Sequence, residues 1–198
     1  KVMRGLGSSN IDHRLRMVDT SDQADVPAYP HIGQSIEGLE QVDAALLIGS
    51  NCRKEQPLIN HRLRKAALRG ASIMAVNAAR YDANYDTGPQ AVVSPADMAR
   101  AMAGIAKALI DAGATAGDDI GIGLDEVMPT DDERAIASAL HAAQRPTILL
   151  GHLALAHPHA SALRALGGYV AALAGGTYGV LADGANAAGA ALAGALPH

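Results

Sequence analysis

The residues best placed to do chemistry lie in one run, Gly49-Ser50-Asn51-Cys52-Arg53-Lys54-Glu55-Gln56-Pro57. It follows an apolar stretch that reads as a strand and precedes a segment with helical spacing. A turn at the carboxyl end of a strand and the amino end of a helix offers unpaired N–H groups and a favourable dipole to an anion. Gly49, Ser50, Asn51, Arg53 and Lys54 are therefore the candidate anion- or cofactor-binding residues, and the ligand would be a phosphate or a dinucleotide. The plainer alternative is an ordinary connecting turn with solvated charges, because the run carries neither a P-loop lysine pattern nor a full Gly-x-Gly-x-x-Gly. Cys52 is a possible nucleophile with no partner evident in the sequence, and a buried thiol is the competing reading.

Three further groups stand out. His152, His157 and His159 contain a His-x-His pair that could ligate a metal, although Pro158 interrupts it and no acid or thiol lies close by. Arg62, Lys65 and Arg69 share a helical face with Arg64 nearby, either as a solvated surface or as a dock for an acidic partner. Asn186, in Gly184-Ala185-Asn186, reads as the cap of a last helix.

Composition narrows the function. The chain has 198 residues, 49% hydrophobic and 18% charged, which suits one folded unit rather than a disordered chain. A formal charge of −4 disfavours a general nucleic-acid binder. One cysteine excludes a disulfide framework, a self-contained iron–sulfur cluster and a Cys-rich zinc site. With no Phe or Trp, the core must be built from Ala, Leu, Ile, Val and Met. No secretory signal opens the sequence at Lys1, and the expectation is a cytoplasmic piece of a longer protein. Residues 165–182 carry no charge over a length that could cross a bilayer. Gly167, Gly168, Gly175, Gly176 and Gly179 within them point instead to a buried helix, a turn and a strand.

The elements that must position these groups follow from pattern. Ala44–Ile48 is a continuous apolar run, expected as a strand buried on both faces. Pro57 suits the first turn of a helix carrying Leu58, Ile59, Leu63, Ala66 and Ala67, and Gly70 ends it. Ile73–Val76 is the next strand, parallel to the first. After a loop over 81–90, Ser94-Pro95-Ala96-Asp97 opens a helix with a hydroxyl cap, and 111–129 is loop. Thr130-Asp131-Asp132-Glu133 is a capping box. A strand is expected at Thr147–Leu150, a helix over 158–174, a strand over 178–182 and helix within 186–196. Ser35–Glu40 reads as a helical turn. The alternation predicts an α/β fold, a three-layer Rossmann-like sandwich with a mainly parallel sheet. Residues 1–34 read as an irregular entry segment, 35–183 as the α/β core, and 184–198 as a loop and helix leading into a remainder.

Several segments together resemble a known family. Gly5-Leu6-Gly7-Ser8-Ser9-Asn10-Ile11-Asp12-His13-Arg14-Leu15-Arg16 looks like the early part of the molybdopterin oxidoreductase fold, of the formate dehydrogenase/DMSO reductase type. Leu46 to Leu58, with His61 to Ala71, resembles the large G chain of NADH-quinone oxidoreductase, respiratory complex I; Leu153 to Pro158 and Gly184 to His198 are similar to it too. The resemblance implies a parent that passes electrons from NADH to quinone through iron–sulfur clusters held elsewhere in the chain. It implies a cytoplasmic location on the peripheral side of the inner membrane. It further implies contacts with other peripheral-arm subunits and with the iron–sulfur domain of the same chain, with no nucleic acid and no direct membrane span. Molybdenum-bearing members place a ligand where Val18 stands, and they tend to read Pro, Ala and an acid where Cys52, Arg53 and Lys54 stand. The expectation is that this segment is a structural and docking scaffold with no redox centre, metal or molybdopterin of its own, its 49–54 loop a vestige of a pterin or anion site. The alternatives are a catalytic formate-dehydrogenase-like oxidoreductase and a free-standing nucleotide-binding module.

Overall fold

In the computed structural model, which describes residues 2–14, 19–116 and 123–196, the chain opens with one helical turn, α1 (Val2–Gly5). A 3-10 turn at Gly38–Gln41 then leads into β1 (Ala44–Ile48). All five β1 residues are buried, as a continuous apolar run requires of a strand covered on both faces. Two short helices follow, α2 (Cys52–Glu55) and α3 (Pro57–Ala67). Next come β2 (Ser72–Asn77) and β3 (Gln90–Val92), then α4 (Met98–Asp111) and α5 (Asp131–Ala142). The chain ends through β4 (Pro146–Leu150), α6 (His152–Leu155), α7 (Ala160–Ala174), β5 (Thr177–Val180) and α8 (Ala187–Leu192).

The sheet order is β3-β2-β1-β4-β5 with every pairing parallel. Alternate side chains of β1 feed two cores. Ala44, Leu46 and Ile48 pack with apolar residues of α4, α5 and α7, while Ala45 and Leu47 pack with Leu39 and with Ile59 and Leu63 of α3. This is the expected three-layer α/β sandwich. The uncharged stretch over 165–182 resolves as anticipated into the end of α7, Gly175 in the left-handed conformation (φ 67°) and β5. Among the described residues no helix is long and apolar enough to cross a membrane.

Several local expectations need correction. The 81–90 loop hides the start of β3, whose three residues are too few to show a period. Pro146 belongs to β4 as its first residue, a position where proline's missing N–H is tolerated. Ser94 does not cap a backbone N–H; its hydroxyl donates to the Asp97 carboxylate at 2.8 Å, and a 3-10 turn precedes α4. Asn186 makes no side-chain cap bond to α8. The capping box at α5 is present as predicted: Glu133 N–H donates to Thr130 Oγ1 and Thr130 N–H to Glu133 Oε2. Glu133 is fully buried, pairs with Arg100 of α4, and leaves no room for a side chain at Gly104.

Candidate functional site at the sheet's switch point

The chain leaves β1 and β4, neighbours in the sheet, at the point where strand order reverses. Ligands of open α/β sheets sit in the crevice outside the carboxyl ends of such a pair. Here the two turns that follow these strands pack directly on each other. Gly49 has φ 59°, and a Cβ on it would stand 2.5 Å from the Ala154 backbone nitrogen of α6. A Cβ on Gly151 would overlap the side chain of Ser50. The two turns are also bonded to each other: Gly151 N–H donates to the Ile48 carbonyl and Leu153 N–H to the Gly49 carbonyl, both at 2.8 Å.

The N–H groups that would receive an anion have partners within the chain. Ser50, only 4% exposed, donates its N–H to Asn77 Oδ1 at 2.8 Å and accepts from Asn77 Nδ2 at 3.0 Å. Asn51 N–H and the Ser50 hydroxyl both donate to Glu55 Oε2, at 3.1 and 3.3 Å. Arg53 pairs with Asp82, whose carboxyl is held below the usual range by the Asn84 N–H first and by Arg53 second. Lys54 is exposed. The structure thus brings Gly49, Ser50, Asn51 and Arg53 together in one turn and leaves Lys54 at its rim. The cleft beside them holds about 30 Å³, room on the order of one or two waters.

Cys52 lies at 3% exposure, and burial, reinforced by Glu55, pushes its thiol up to about 12. A thiol so protonated is neither nucleophile nor ligand near neutral pH. The histidines are separately engaged. His152 Nδ1 faces Asp183 at 3.2 Å. His157 Nε2 meets the Pro95 carbonyl at 2.9 Å, and its Nδ1 accepts from His159 N–H at 2.9 Å, which assigns His157 as the neutral Nε2–H tautomer. Among the described residues no three His, Cys, Asp or Glu side chains gather as a metal site. The basic face of α3 and the turn after it are also partnered: Arg62 and Lys65 pair with the Glu40 carboxylate, and Arg69, in the turn, donates to the Glu40 carbonyl. Arg62 first and Lys65 second hold the Glu40 carboxyl at about 2. Val18 lies outside the described residues.

Sequence reasoning missed Glu55 and Asn77. Glu55 had a signal, an acid within one turn of Asn51, the pattern by which side chains reach back to a helix's first N–H groups. Asn77 had none beyond a polar residue closing an apolar strand.

The family model described as Molybdopterin oxidoreductase matches residues 1–196. The chain is also similar to the F420-dependent formate dehydrogenase subunit alpha of Methanocaldococcus jannaschii, 35% identical over 78 residues. That match covers 38% of this chain and 12% of the relative, so the chain spans a small part of that protein's length.

Proposed function

The chain belongs to the molybdopterin oxidoreductase family, and from that premise we propose that it forms part of the G subunit of an NADH-quinone oxidoreductase, where it acts as a structural and docking scaffold without a redox centre of its own. One observation carries the scaffold reading. The switch point that would hold a dinucleotide's phosphate is closed by the chain's own groups, Asn77 on Ser50 and Glu55 on Asn51. Gly49 and Gly151 pack against the facing turn where a ligand would need space. These residues do not fit a pterin dinucleotide at this turn. The motif from Leu46 to Ala71, which resembles the complex I chain rather than molybdenum-bearing members, supports the respiratory setting.

In that setting the parent's iron–sulfur clusters, NADH and quinone lie outside this segment. Residues 1–34 enter the domain, 35–183 form its core, and 184–198 lead onward. The segment docks on the iron–sulfur domain of its own chain and on neighbouring peripheral-arm subunits, on the peripheral side of the inner membrane. The similarity to a formate dehydrogenase alpha subunit favours a second reading, a fragment of a catalytic molybdopterin enzyme. Molybdenum and pterin analysis of the full-length protein separates the two. The scaffold reading expects neither, together with co-purification of NADH-dependent quinone reduction. Stoichiometric molybdenum with pterin, or formate oxidation by the purified protein, overturns it.

A further inference from the structure

Helix α3 buries Ile59, Leu63 and Ala66 under the sheet and turns its opposite side outward. Leu58 and Leu68, at the two ends of that outer side, are 73% and 68% exposed. Along a helix axis their separation in sequence corresponds to about 15 Å. Between and beside them run Arg62, Arg64, Lys65 and Arg69, with His61 exposed among them, and residues 56–81 contain no acid.

The contacts made by these cations orient them without cancelling their charge. Arg62 and Lys65 share a single carboxylate, that of Glu40. Arg69 donates to the Glu40 carbonyl and Arg64 to the Asn84 carbonyl, the latter at 3.3 Å, and neither acceptor carries a formal charge. Around the start of α3, Arg53 is balanced by Asp82, Glu55 turns inward to Asn51, and Lys54 is exposed. Asp43 is held by the N–H groups of Gln144 and Arg145. Glu37 and Asp86, exposed on the segments that flank α3, lower the excess and leave its sign positive. The described residues next to 15–18 and 117–122 belong to the other side of the sheet: Asp19 bonds Ser161 of α7, and Ala116 and Leu124 pack in the core of α4 and α5.

We propose that the outer face of α3 is the seat of an acidic segment of a separate partner protein, whose Asp or Glu side chains meet Arg64, Lys65 and Arg69 while apolar side chains rest on Leu58 and Leu68. Charge complementarity selects the occupant. The chain as a whole carries a formal charge of −4, so an acidic partner is repelled by the molecule at large and drawn to this face, which fixes where it docks. The two leucines add contact that charge alone lacks at physiological salt, where fields fade within about 8 Å. An anionic membrane is the weaker fit, because two leucines on a helix already packed by its other side offer little surface to insert. This inference rests on the docking role proposed above. Its test reads peptide binding rather than metal content or respiration, so either can fail without the other.

The test is fluorescence anisotropy on the purified full-length protein with a short labelled Glu/Leu peptide. A Lys/Leu peptide and a Glu/Gln peptide of the same length serve as comparisons. The Glu/Leu peptide is expected to bind saturably and more weakly in high salt. Arg64→Gln combined with Lys65→Gln, which leaves Arg62 on Glu40, should weaken it about fivefold. Leu58→Gln with Leu68→Gln, at exposed positions, should weaken it to the level of the Glu/Gln peptide. Lys107→Gln with Arg134→Gln, which removes the same charge from α4 and α5 across the sheet, should leave binding unchanged. The proposal is overturned by no binding at millimolar peptide, by equal binding of either comparison peptide, or by equal weakening in the α4–α5 pair. Binding to vesicles containing anionic lipid in place of the peptide also overturns it. Unchanged melting of the variants guards the comparison against misfolding.

Discussion

Replacing Asn77 by alanine tests whether the closed turn is held by the interactions seen in it. Asn77 and Ser50 are each only 4% exposed, and their bonds are reciprocal, 2.8 Å into Asn77 Oδ1 and 3.0 Å out of Nδ2. Alanine deletes both at once and leaves the N–H and C=O of Ser50 buried without that partner. Each orphaned buried group costs about 1–3 kcal/mol, so the sum is about 2–6 kcal/mol, reduced where water enters the space the amide leaves. Stability of an ordinary domain is about 5–15 kcal/mol, so this is a large share. With a urea m-value of about 2–3 kcal/mol/M for a chain of this size, the midpoint should fall by about 1 M or more. The same variant should speed hydrogen exchange at the Ser50 amide. Asn60→Ala is the comparison. Asn60 is also buried, at 6%, but its bonds run to the Ala83 carbonyl and from the Tyr85 hydroxyl, each at 3.2 Å in a more exposed loop, and it should lose less. A midpoint shift of Asn77→Ala below about 0.3 M, or protection of Ser50 as in the parent, would mean that Asn77 is not what pins the turn.

Two further outcomes follow from the charge and thiol environments. Cys52, with its thiol pushed up to about 12 by burial and by Glu55, should react with a disulfide reagent at pH 8 only on unfolding; rapid labelling of the native protein would contradict its placement. Glu40 is held at about 2 against an ordinary value of 4.5. A lowered folded value gives stability that is complete above about 4.5 and is lost as pH falls toward about 2. Glu40→Gln should flatten that part of an acid-denaturation curve measured by circular dichroism, and an unchanged curve would show that the Arg62 and Lys65 contacts contribute nothing.

The fold was largely legible because its signals are local. Ala44–Ile48 announces a strand covered on both faces by having no polar alternation, and Pro57 with Gly70 brackets α3. The capping box at Thr130 and Glu133 needs only a spacing of three. What stayed hidden depends on the third dimension. Gln90–Val92 is a strand because β2 offers it an edge. The basic face of α3 looks like open surface in sequence, and only the fold brings Glu40 beneath Arg62 and Lys65. Asp19 and Ser161 lie 142 positions apart yet share a hydrogen bond; no periodicity could join them.

The same distinction explains how a turn at a ligand-binding position can be read as a site and yet be closed. A sheet whose strands are all parallel sends its returning helices off from the carboxyl edge, so several unsatisfied helix starts collect there. The topology creates a demand for negative charge without saying what meets it. At three of these starts the demand is met internally. Glu55 reaches Asn51 at the start of α2, Glu133 closes the capping box of α5, and Asp19 meets Ser161 in the first turn of α7. A bound phosphate would have to displace a tethered carboxylate already at high effective concentration, beside glycines packed against the opposing turn. The fold alone therefore cannot assign a cofactor to this edge; the residues that complete the starts of α2, α5 and α7 are what bear on it, and those three are acids.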